Sequence, residues 1–98
     1  MPNLHGNFSA RTAIETVMNV PANQWVPLPA STQGGRTLVE VWNKGETKLY
    51  FSFDNTAAIA NRAAIGSGSF RIFPIQDNLI LYGRSHSGGT KAIVVEYK

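Results

Sequence analysis

Three carboxylates, Glu15, Glu40 and Glu96, fall in the middle of stretches rich in β-branched and aromatic residues. Two strand carboxylates held at a fixed separation are the apparatus of glycoside hydrolysis, one acting as acid and the other as base or nucleophile. Nothing in the spacing brings any two of these three to a chosen separation. On an outer sheet face such groups ordinarily meet water or a cross-strand Lys or Arg. The two histidines, His5 and His86, stand apart in an N-terminal segment and at a loop tip, and cysteine is absent. A metal site needs several such donors converging on one point. Gly66-Ser67-Gly68-Ser69 lacks the strand–turn–helix setting of a nucleophile elbow, and no Lys-Ser/Thr follows it to make a phosphate loop. The sequence therefore predicts no catalytic residue, no metal and no cofactor.

The chemistry that remains is that of surfaces. Trp25, Trp42, Tyr50, Tyr82 and Tyr97 suit either stacking on sugar rings or filling a subunit interface, where aromatics are enriched. Leu38 beside Trp42 favours the protein interface.

The elements that must position these residues centre on Arg36–Phe53, RTLVEVWNKGETKLYFSF. It reads as a hairpin of two strands joined by Asn43-Lys44-Gly45-Glu46, with Gly45 giving the turn its backbone freedom. Leu49, Phe51 and Phe53 alternate with polar neighbours and are expected to face a core. In the first arm Val39 and Val41 alternate with Leu38, Glu40 and Trp42, so apolar side chains point to both faces. One face serves the core, and the other is left for a partner.

Around this hairpin the chain reads as short strands. Residues 1–11 lack periodicity and read as an extended arm, with Leu4 and Phe8 as its anchors if a neighbouring subunit orders it. Thr12–Val20 is a strand with Ile14, Thr16, Met18 and Val20 on one face. Gln24–Leu28 is a short strand carrying Trp25, and Pro27 and Pro29 place it at an edge or take it out of the sheet. Ala30–Gly35 is a loop. Asp54–Gly68 could hold a short helix over its alanines, capped by Asp54, Asn55 or Thr56, or a loop with a short strand. A loop or a single helical turn is the preferred reading, since nothing obvious covers the face of a longer helix. Ser69–Ile75 presents Phe70 and Ile72 on one face and Phe73 and Ile75 on the other, and pairs with Asn78–Arg84 across Gln76-Asp77. Gly83 marks a bulge or a close backbone approach. Ser85–Thr90 reads as a hairpin loop, and Lys91–Tyr97 closes the chain. About six to eight short strands with regular turn signals predict an all-β fold, a small antiparallel β-sandwich of jelly-roll-like or Ig-like type spanning residues 12–98.

The chain has 98 residues, one domain's worth, with a net charge of +3 and only 15% charged residues. The basic residues are scattered, so no stripe suits a phosphate backbone and nucleic acid is not an expected partner. No run approaches a membrane span, and residues 1–11 hold no apolar core of a secretory leader. A surface this poor in charge fits a protein that lives inside an assembly, and equally an all-β domain rich in Ser, Thr and Asn.

Several short segments resemble those of small β-sandwich virion proteins of tailed bacteriophages. Arg36-Thr-Leu-Val39-Glu-Val41-Trp-Asn43 is similar to their R-x-x-[LV]-x-[IV]-x-N opening, and Leu49–Phe53 to the strand that follows. Ile65-Gly66-Ser67-Gly68 stands where they carry a Gly-containing loop. Leu81–Ser85 resembles a later strand, and Val94-Val95-Glu96 a v-x-v-x-E ending. Gly83-Arg84 and the Ala-rich insert depart from that pattern. The resemblance implies a non-enzymatic virion protein made in the host cytoplasm, most directly a capsid decoration subunit. It would bind the major capsid protein or other virion proteins and form a homo-oligomer, with a trimer as one option. A tail, neck or glycan-contacting receptor-binding component, or a carbohydrate-binding module, is the alternative. Physically, Arg36 at a strand entrance can donate to carbonyls of a neighbouring loop, and Asn43 can bond the turn that follows it.

Overall fold

A computed structural model describes residues 12–75 and 79–98. The expected arm with Leu4, Phe8 and His5, and the Gln76-Asp77 turn, lie outside the described residues. Eight strands follow in order: β1 Ala13–Val20, β2 Val26–Pro27, β3 Leu38–Asn43, β4 Leu49–Ser52, β5 Ala64–Ile65, β6 Phe70–Pro74, β7 Tyr82–Ser85 and β8 Thr90–Tyr97. They form two antiparallel four-stranded sheets, ordered β1-β8-β3-β6 and β2-β7-β4-β5. The all-β sandwich expected from strand spacing is present, and its strand order is that of a jelly roll.

The winding follows a simple rule. The first strand pairs with the last, β2 with β7, β3 with β6, and β4 with β5. The chain is one long antiparallel ribbon folded back on itself between β4 and β5, then wrapped around the core. Successive strands consequently alternate between sheets, except β4 and β5, which share one.

This rule corrects three sequence readings. β3 and β4 are not a hairpin: they lie in opposite sheets, and Lys44–Lys48 is the arch between them. β6 pairs with β3 and β7 with β4 and β2, so these two strands do not pair with each other. The Ser85–Thr90 loop likewise crosses from β7 in one sheet to β8 in the other. A short polar turn between two apolar runs looks the same in a hairpin and in an arch, because the backbone needs a reversal in both. Among the described residues, the neighbouring strands that do pair with each other are β4 and β5. They enclose the Ala-rich stretch, where the single helical turn forms as a 3₁₀ turn at Ile59–Asn61 and the short strand weighed against it is also present, as β5.

The core between the sheets comprises Val20, Leu28, Val39, Val41, Leu49, Ile65, Phe73, Ile75, Leu81, Ala92 and Val94, with Met18, Val26 and Phe51 packed against it. Phe53 was expected to join it but lies one residue past the end of β4 and is 48% exposed.

A buried polar hub closes each end of this core. At one end Asn43 is fully buried and pins three elements. Its Nδ2 donates to Thr47 O (2.8 Å) and Ile65 O (2.9 Å), and its Oδ1 accepts from Gly45 N (3.1 Å) and Thr90 Oγ1 (2.8 Å). The expected Asx-type bond to the following turn is present, within a wider network. Gly45 is needed here for space, since it is not among the glycines with positive φ. A Cβ at this position would overlap Thr90 Oγ1 and crowd Lys91 N at 2.9 Å.

At the other end Arg36 and Glu96 are both buried and ion-paired. Arg36 Nη2 donates to Leu79 O (3.1 Å) and its Nη1 lies 3.5 Å from Leu28 O, so the predicted loop carbonyls are its acceptors. Gln33 N donates to Glu96 Oε2 (2.9 Å). Glu96 is therefore not an outer-face carboxylate: β8 turns Thr90, Ala92, Val94 and Glu96 inward. Gly83 marks a close approach, because a Cβ there would sit 2.7 Å from Leu28 Cδ1.

Candidate interaction surface

Strand alternation sorts the side chains of the β1-β8-β3-β6 sheet into two sets. Even-numbered residues of β1 and β8 and odd-numbered residues of β3 turn inward. The outer face is built from what remains, and the register sets it in rows. Val17, Ile93, Trp42 and Phe70 lie side by side across all four strands. The next row is Glu15, Val95, Glu40 and Ile72, and the third is Ala13, Tyr97, Leu38 and Pro74. Val17 is 56% exposed, Phe70 47% and Ile72 52%. A sheet that faced only water would alternate apolar inside with polar outside; here both sides are apolar. Contiguous exposed apolar surface of this kind marks interaction sites.

The polar atoms of Trp42, Tyr97 and Glu40 on this face are occupied by one another. Trp42 Nε1 donates to Glu40 Oε2 (2.7 Å), and the Tyr97 hydroxyl donates to Glu40 Oε1 (2.8 Å). The carboxylate is clasped between the two aromatic side chains. The bond to Glu40, with partial burial and the nearby negative charge, raises the Tyr97 pKa above its ordinary value. Trp42 stacks on Phe70 with ring centroids 4.4 Å apart and planes at 21°. The Lys44 ammonium lies 5.9 Å from the Trp42 ring centroid. The result is an aromatic and aliphatic platform with two of its own donors already spent on Glu40, bordered by the exposed Glu15, Asn19 and Lys91.

Two of the residues read from sequence as partner-binding, Leu38 and Trp42, lie together on this face. Trp25 and Tyr50 do not. Trp25 is half-buried, and its Nε1 donates to Ala57 O (2.9 Å), tying β2 to the loop after β4. Tyr50 belongs to the other sheet, where its hydroxyl is 3.4 Å from His86 Nδ1. Sequence reading did not assign Val17, Ile72, Ile93 and Val95 to the surface. Their signal was present in the alternation with inward residues, but only the sheet order shows that these strands are neighbours.

Of the three candidate carboxylates, Glu15 and Glu40 share a row of the outer face with Val95 between them, while Glu96 is turned into the core on the opposite side of the same sheet. Among the described residues no group of three His, Asp or Glu side chains could hold a metal ion. No helix among them is long and apolar enough to cross a membrane. Asp54 accepts from both the Thr56 hydroxyl (2.7 Å) and the Thr56 amide (2.9 Å), which lowers its pKa; this is a turn, not a site.

No family model and no curated protein matches the sequence. Among solved structures the chain is similar to a de novo designed double-stranded β-helix determined by solution NMR, with a TM-score of 0.51 and 17% identity over 90% of this chain and 100% of that one. This likeness concerns the fold alone: a ribbon wound into two facing sheets.

Proposed function

We propose that the protein is a non-enzymatic structural subunit of a phage virion, a capsid decoration protein that attaches through the outer face of the β1-β8-β3-β6 sheet. The observation that carries the reading is the apolar outer face of Val17, Ile93, Trp42, Phe70, Val95, Ile72 and Leu38, a surface suited to burial against another protein. The low charge of the chain agrees with life inside an assembly. The virion assignment rests on the sequence resemblance. The first and last residues of its motifs, Arg36 and Glu96, form the buried ion pair.

Such a subunit would be made in the host cytoplasm and join the particle there. Its work would be to add buried area across junctions between major capsid protein subunits. The test is co-sedimentation of the purified chain with isolated capsids of its phage, before and after shell expansion. Retention on capsids, lost when Ile72 or Phe70 is made polar, supports the proposal. A folded chain that ignores capsids and instead binds host glycans would replace it with the receptor-binding reading.

A further inference from the structure

The four sheet edges are protected unequally. β2 and β5 are two residues each, and β6 has five residues and ends at Pro74. β1 is eight residues long and pairs with β8 at every position from Ala13 to Val20 without a bulge. It contains no proline, lysine or arginine. Among the described residues its other edge carries no strand. A long, flat edge with free N–H and C=O groups is a template for another strand, and proteins that avoid this use brevity, proline, charge or bulges. Such devices appear at the other three edges, whereas β1 is long, has no proline and no bulge, and carries Glu15 as its one charged residue.

The side chains of β1 specify which strand fits. Ala13, Glu15, Val17 and Asn19 belong to the outer face, and Ile14, Thr16, Met18 and Val20 to the core side. An added strand must continue both alternations, and a second copy of β1 does so. In an antiparallel pair about a twofold axis every register centred on a residue sets outer residues against outer residues, so the side chains choose among them; centring on Met18 sets each Val17 against a polar Asn19. Centring on Glu15 sets two carboxylates face to face, which is repulsive. Centring on Thr16 sets each Glu15 against the Val17 of the second copy and leaves a carboxylate on an apolar neighbour. Centring on Val17 sets Val17 against Val17, Glu15 against Asn19, Thr16 against Met18, and Ile14 against Val20. In this last register each pair is compatible, and the Val17–Ile93–Trp42–Phe70 rows of the two copies run on as one apolar band.

We propose that β1 is an intersubunit strand, and that two copies of this chain join β1 to β1 antiparallel about a twofold axis at Val17, fusing their outer sheets into one. The contact is isologous and occupies the free β1 edge of both copies, so it closes at a dimer. The inference stands on the backbone edge and its register, and is independent of the capsid reading.

The absence of cysteine makes the register directly testable. In the oxidised full-length chain, Val17→Cys is expected to give a disulfide-linked dimer. Glu15→Cys and Asn19→Cys are expected to cross-link poorly, because like positions are then four residues, about 13 Å, from their counterparts. Sedimentation velocity of the unmodified chain should give the dimer mass. Val17→Lys should shift it to monomer, weakening association about tenfold or more, with an unchanged circular dichroism spectrum. Val17→Thr is the control that keeps the dimer. A monomer or trimer for the unmodified chain, or Glu15→Cys cross-linking as well as Val17→Cys, overturns the proposal. A dimer that ignores capsids upholds this pairing while ending the capsid reading, so the two failures are distinct.

Discussion

Arg36 Nη1 donates to Glu96 Oε2 at 2.9 Å across a separation of 60 residues, with both side chains buried. The bond joins the loop before β3 to the end of β8, and it sits where the apolar core ends. Glu96 Oε1 and Arg36 Nε have no hydrogen-bond partner, so the pair's desolvation is offset mainly through Nη1, Nη2 and Oε2. Breaking such a pair from one side costs more than the pair contributes, because the remaining charge is stranded. Glu96→Ala is expected to cost about 3–5 kcal/mol, a large share of the 5–15 kcal/mol typical of a domain. Glu96→Gln, which keeps acceptors for Gln33 N and Arg36, should cost less. Urea denaturation midpoints check both, and a Glu96→Ala loss below about 1 kcal/mol would contradict the role assigned to the pair.

Gly83 and Leu28 make a second, more local test. Val26 pairs with Gly83, and the backbone of β7 passes so close to the Leu28 side chain that a methyl group has no room. Gly83→Ala should therefore destabilise by about 1–3 kcal/mol through overpacking. Combined with Leu28→Ala, which opens space at the same point, the two losses should add to less than their sum. A double-mutant cycle with no coupling would show that the strain lies elsewhere.

Much of this fold was legible because alternation is a local property. The inward and outward sets of β1, β3 and β6, the edge position of the proline-containing β2, and the roles of Arg36 and Asn43 all follow from residue type and period. Which strands are neighbours was not legible. Asn43-Lys44-Gly45-Glu46 has the composition of a hairpin turn, yet it bridges two sheets, because Asn43 binds Ile65 O and accepts from Thr90 Oγ1 instead of letting β4 fold back onto β3. The candidate surface shared this limit. Leu38 and Trp42 were visible as outward apolar residues, but their company of Val17, Ile93, Phe70 and Ile72 depends on pairings set by the winding of the whole ribbon. Glu96 looked like an ordinary strand carboxylate because its partner lies 60 residues away.

The outer face should separate binding from stability. Ile72 and Phe70 are about half exposed and lie on the edge strand β6, so Ile72→Glu and Phe70→Ser should change stability by less than about 1.5 kcal/mol. Each should sharply reduce retention on a partner that covers this face. Trp42→Ala removes the stack on Phe70 and the bond to Glu40 as well, and should cost more stability than either. Co-sedimentation measured beside thermal melting reads both quantities. Full partner retention by the Ile72→Glu chain would place the contact on another surface.

Tyr97 gives the platform a dependence on alkaline pH. Its protonated phenol is the form that donates to Glu40, and this bond, burial and the carboxylate charge together raise its pKa in the folded chain. The unfolded value is about 10, so above that pH the native state holds a proton that the unfolded state has lost. Stability from this group is thus fully present below pH ~10 and declines as the pH rises through the higher native value. At pH 8, Tyr97→Phe should cost about 0.5–1.5 kcal/mol, toward the low end because the phenol is only partly buried. That difference should shrink as the pH rises above about 10. Denaturation of the two chains across this range measures it, and the phenolate absorbance of the parent less that of Tyr97→Phe gives the titration of Tyr97 itself. A midpoint at or below about 10 would mean that the bond to Glu40 does not hold the proton in solution.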